Sequence, residues 1–110
     1  MLIDFSKIPE ETIKNFHGGA KEVHAQAYGD ELNRIMLTRM IPGSSNGLHT
    51  HTDGSEIIFV LKGHGYSITD NHKEELKPGV VSYCKKGSSH EIINDSKTED
   101  LVCYNVITKQ

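Results

Sequence analysis

Residues 43–63 read GSSNGLHTHTDGSEIIFVLKG, and the reading of this stretch decides the fold. His49 and His51 stand one residue apart, a turn follows, then Glu56, then an apolar run that ends at Gly63. Successive side chains of a strand point to opposite faces, so His49 and His51 point the same way. Residues 52–55, Thr-Asp-Gly-Ser, have the chemistry of a turn, with Gly54 free to take a positive φ. The chain can therefore fold back and lay Glu56 beside the two rings. If Ile58 and Val60 face a core, strand parity turns Glu56 inward with them, where an unpaired carboxylate is costly. A cation held among the three side chains removes that cost. A His-x-His pair alone is common on exposed strands, and the inward glutamate is what sets this one apart. Two imidazoles and a carboxylate suit iron, manganese, nickel, cobalt or zinc.

Outward from this stretch the period of two continues. Upstream, residues 23–28 predict a weak strand ended by Gly29-Asp30, and residues 32–41 a stronger one. On the latter, Ile35, Leu37 and Ile41 share one face while Met36, Thr38 and Met40 share the other. Arg34 and Arg39 fall on opposite faces, so either one can point inward toward an anionic ligand. Downstream, strands are predicted at 66–69, 74–77, 80–84, 90–93 and 101–107, separated by Asp70-Asn71, Pro78-Gly79, Lys86-Gly87-Ser88 and Asn94-Asp95-Ser96. About eight or nine short strands with no long helix predict an all-β sandwich or barrel of the jelly-roll kind. Residues 1–22 read as a short irregular N-terminal arm over a sheet edge, with a short helix from Pro9 as the other reading. Residues 23–110 form the barrel of the same domain.

The spacing of these residues resembles the two motifs of the cupins. The first is glycine, five residues, His-x-His, three or four residues, glutamate, six residues and glycine, matched by Gly43, His49, His51, Glu56 and Gly63. The second is met by Gly79, Gly87, His90 and Asn94, with Lys85 where proline is usual. The resemblance implies a double-stranded β-helix, or jelly-roll cupin barrel, in which His49, His51, Glu56 and His90 ligate one divalent transition metal. Relatives of this kind include isomerases, epimerases, lyases, decarboxylases and dioxygenases acting on sugar acids, small organic acids and phenolic compounds. The expectation is a metalloenzyme acting on a small oxygen-rich anion, with a non-catalytic ligand-binding or metal-sensing module as the alternative. Fold alone does not choose between them.

Other side chains are read more plainly. His17, His64 and His72 fall in turns or breaks and are expected at the surface, away from any site. Cys103 and Tyr104 alternate on the last strand, so one of them faces inward, and a space-filling tyrosine is the expected choice. Ile57, Phe59 and Leu61 form a stripe that packs against a second sheet or, if it lies outside the barrel, makes a homodimer face.

The bulk numbers narrow the partners. A chain of 110 residues is one domain, with a formal charge of −3 and its 12 Lys and Arg scattered rather than striped. That balance argues against nucleic acid or an anionic membrane as partner, leaving a small molecule and a second copy. The longest apolar run, residues 57–61, is far short of the ~20 a membrane helix needs. The N-terminus fits no signal peptide, and the 2 cysteines form no CxxC, so a cytoplasmic protein with reduced thiols is expected.

Overall fold

The computed structural model describes residues 1–110 and is built almost wholly of strands. They are β1 (Glu11–Lys14), β2 (Glu22–Gly29), β3 (Asn33–Met40), β4 (Ser45–Thr50), β5 (Gly54–Lys62), β6 (Gly65–Thr69), β7 (His72–Leu76), β8 (Val81–Cys84), β9 (Ser89–Ile93) and β10 (Leu101–Lys109). One sheet has the order β1-β2-β3-β10-β5-β8 and the other β4-β9-β6-β7, and every pairing is antiparallel. From β3 onward the chain crosses repeatedly between the sheets, which is the connectivity of a jelly roll. No helix is long and apolar enough to cross a membrane.

Alternation along the strands sets what lies inside. On β3 the side chains of Met36, Thr38 and Met40 are buried, and on β5 those of Glu56, Ile58 and Val60. Parity therefore turns Glu56 inward as expected. The interior divides along the barrel axis. Val60, Ile58, Leu101, Cys103 and Ile92 belong to one packed hydrophobic cluster. Further along the same strands Glu56, Asn105, Ile107 and His90 replace them, and the first three line a cavity of about 290 Å³.

The N-terminal residues differ from both readings of the sequence. No helix starts at Pro9; the first helical turn is a 3-10 turn at Phe5–Lys7, capped by Asp4, whose carboxylate accepts from the Ser6 backbone and hydroxyl. Residues 11–14 do not pack over the edge of the sheet but extend it, with Ile13 opposite Val23. Four residues with one inward apolar position carry too weak a period to be read as a strand. A second 3-10 turn, Phe16–Gly18, then docks on β4.

Three further expectations change. Gly54 is already inside β5 and has no positive φ; a Cβ there would run into the Thr108 carbonyl of β10, so the position needs glycine for close approach. Tyr104 is not the inward residue of its pair. It lies outside, stacked on Phe5 with centroids 5.7 Å apart, while Cys103 is buried. Phe59 and Leu61 face outward, each 42% exposed, so the stripe is not core between the sheets. The Asp70-Asn71 turn is as expected, both residues taking positive φ (47° and 68°) to join β6 to β7.

Candidate metal centre

The centre is assembled by register. His49 on β4 lies directly opposite His90 on β9, so the two rings share the inner face. His51 lies just past the end of β4 and is pinned to the turn between β8 and β9, its N–H donating to the Ser88 carbonyl at 3.0 Å and its carbonyl accepting from Gly87 at 2.6 Å. Glu56 reaches across from the other sheet. All four ligand-type atoms lie within 4.8 Å of one another.

The individual spacings are tighter. His90 Nε2 is 2.8 Å from Glu56 Oε1, 3.0 Å from His51 Nε2 and 3.1 Å from His49 Nε2, and His51 Nε2 is 3.1 Å from Glu56 Oε1. One proton on a ring nitrogen cannot lie along three such contacts at once. A metal ion can serve all four atoms. Bonds of about 2.1 Å to adjacent corners of an octahedron leave donors about 3.0 Å apart, which is the spacing of these four pairs. The residues therefore fit a divalent transition metal.

The surroundings prepare the donors. His49 Nδ1 donates to the Gly47 carbonyl at 2.8 Å, so the neutral ring presents its Nε2 lone pair to the centre. Burial lowers the pKa of His49, partly opposed by that hydrogen bond, and keeps the ring neutral. Burial alone would raise the pKa of Glu56, but hydrogen bonds from His51, His90 and Asn105 overcome it and hold the side chain as carboxylate. Asn105 Nδ2 donates to Glu56 Oε2 at 3.2 Å, and Thr38 Oγ1 donates to Asn105 Oδ1 at 2.7 Å. His90 is fully buried and its Nδ1 has no partner.

Asn105 and Thr38 escaped the sequence reading. Their only signal there is a polar side chain at an inward position of an apolar strand. His17 was expected at the surface with no part in the site. It is exposed, yet its ring stacks on His49 with centroids 3.9 Å apart and 14° between planes, and it lines the cavity. His64 and His72 stay outside, His64 between Glu75 and Asp95. Of the two arginines, Arg34 lines the cavity and Arg39 points away to Glu10 and Asp100. Asn94, from the second motif, is a buried strut that donates to the Met40 and Glu99 carbonyls.

The cupin domain family matches residues 36–107, a span that holds all four clustered residues. The chain belongs to the cupins. This cupin is 34% identical over 106 residues to an oxalate-binding protein of Thermotoga maritima, covering 90% of this chain and 87% of that one. It is 33% identical over 92 residues to an uncharacterized protein of Methanocaldococcus jannaschii, covering 83% and 64% of the respective chains. The crystal structure of a predicted oxalate decarboxylase from Thermotoga maritima matches with a TM-score of 0.92 at 31% identity, over 100% of both chains.

Proposed function

We propose that this cupin holds one divalent transition metal through His49, His51, Glu56 and His90 and acts on a small oxygen-rich carboxylate, in a reaction of isomerase, lyase or dioxygenase type. The observation that carries the reading is the convergence of three imidazole nitrogens and one carboxylate oxygen, with neighbouring atoms 2.8–3.1 Å apart, at a cavity that His49, His51 and Glu56 line. A bound divalent ion would supply Lewis acidity toward ligand oxygens. Three neutral imidazoles and one carboxylate carry a single negative charge, so the loaded centre stays positive and favours an anion. Arg34 adds a second positive charge at the cavity. The names of the Thermotoga relatives, an oxalate-binding protein and a predicted oxalate decarboxylase, support a carboxylate ligand.

Within the cavity each residue has a distinct task. Asn105 and Thr38 hold Glu56 in place, His17 covers one face of His49, and Arg34 orients the anion. The alternative is a binding module without turnover, and one observation favours it. Both oxygens of Glu56 are engaged by His51, His90 and Asn105, which leaves His17 as the titratable proton carrier lining the cavity outside the centre. We also read the chain as cytoplasmic, in keeping with two free cysteines, and as a homodimer through its outer apolar face.

The test is metal content followed by turnover. Protein reconstituted with iron, manganese, nickel, cobalt or zinc should hold about one ion per chain, and none with all five would sink the reading. Ligand binding should be lost with the metal and return with it. Turnover of a carboxylate that is lost and regained in step makes it an enzyme; saturable binding of an unchanged compound makes it a binding module. Metal retention should fail as pH drops below the ordinary histidine value of ~6.5, because burial holds His49 under that value and protons compete for the same nitrogens.

A further inference from the structure

The cavity has two unlike sides. Its polar groups gather at the metal centre, where Thr38, Asn105 and Glu56 bond to one another. Six apolar side chains make up much of the remaining wall: Ile13 and Phe16 come from the N-terminal segment, Val23 and Ala25 from β2, Met36 from β3 and Ile107 from β10, while His17, Asn46 and Thr50 also line the cavity. Arg34, the cationic residue of the lining, is exposed. A volume of about 290 Å³ matches roughly ten water-sized atoms at ~30 Å³ each. Oxalate, with its six non-hydrogen atoms, would fill about three-fifths of it on that scale.

We propose that the ligand of this cupin is a 2-oxo or 2-hydroxy carboxylate bearing a short apolar substituent, with the substituent lying against Ile13, Phe16, Val23 and Met36. This rests on the metal reading given above. The carboxylate and its neighbouring oxygen meet the cationic centre, and the substituent displaces water from the apolar wall. The N-terminal segment is then part of the binding site, because β1 and the turn after it supply one side of that wall.

Calorimetric titration of the manganese-loaded protein with pyruvate, 2-oxobutanoate and 2-oxopentanoate tests the proposal. The three share one chelating head and one charge, so differences among them report the wall. Affinity should rise about fourfold with each added methylene. A flat or falling series overturns the proposal. Ile13→Asn and Phe16→Asn should each flatten the rise, and Ile13 sits on an edge strand where a polar side chain is tolerated by the fold. A rise that survives both substitutions overturns the assignment of the wall. Metal content, measured first, separates the two readings. A chain that takes up no metal sinks the proposed function and this inference with it. A chain that takes up metal and binds oxalate, yet shows no dependence on chain length, sinks this inference alone.

Discussion

Glu56 is 6% exposed, and its Oε2 is held by Asn105. A buried carboxylate oriented by a single amide donor loses its aim when the amide is removed, and such supporting contacts are typically worth 10–100-fold in metal affinity. Asn105→Ala should therefore weaken metal binding by about that factor in competition with a chelator, whereas His64→Ala, at a surface ion pair, should leave it unchanged. His90→Ala and His51→Ala should each cost at least as much as Asn105→Ala. Because they share one ion, the double variant should lose less than the two losses added together. Simple additivity would place His90 in a different site. The residue scale is also where the sequence was most legible: His49, His51 and Glu56 were named from spacing and strand parity, and His90 from the resemblance to the cupin motifs. Asn105 and His17 were not, because the strand order that puts β10 beside β5 and the docking of the N-terminal turn on β4 have no local signature.

Two elements carry consequences of their own. The turn at Phe16–Gly18 and strand β4 approach so closely that a Cβ on Gly47 would run into the His17 carbonyl, and a Cβ on Gly19 into that of Ser45. Gly47 also supplies the carbonyl that fixes His49. Gly47→Ala should thus force the two segments apart, costing about 1–3 kcal/mol of stability as overpacking does, and should lower metal affinity with it. Thermal denaturation of the metal-free protein reads the first effect and chelator competition the second; a variant as stable as the parent would contradict the close approach. On β10, burial, with Glu56 adding to it, pushes the Cys103 thiol from 9.0 to about 12. Below pH 9 the thiol is protonated in the folded and unfolded chain alike. Above it the unfolded chain ionises first, so the protein loses stability as pH rises from about 9 toward 12. Urea denaturation at pH 8 and pH 10 should show that loss, and Cys103→Ala should reduce it.

At the scale of the whole molecule, the outer face of the larger sheet is incompletely covered. Phe59, Val81 and Tyr83 are 42%, 53% and 52% exposed, and register sets Phe59 opposite both Val81 and Tyr104. A chain of this size rarely leaves such a patch to water. A symmetric dimer would cover it. Light scattering at micromolar concentration should give twice the chain mass, and Phe59→Glu or Val81→Lys should halve it. A parent protein of single-chain mass would contradict the dimer.

The fold class and the placement of His49, His51 and Glu56 followed from local order, because strand parity and motif spacing are properties of consecutive residues. His49 and His51 had to share a face, and Glu56 had to turn inward with Ile58 and Val60, whatever the rest of the chain did. Other features depended on which strands became neighbours. Pairing of β4 with β9 set His90 opposite His49 across 41 positions of sequence. Placement of β10 between β3 and β5 brought Asn105 to Glu56 and turned Tyr104 outward. Docking of the N-terminal turn laid His17 over His49 and brought Ile13 and Phe16 to the cavity wall. Those contacts join residues far apart in the chain, and their energy depends on the packing of whole sheets, so no window of sequence contains them.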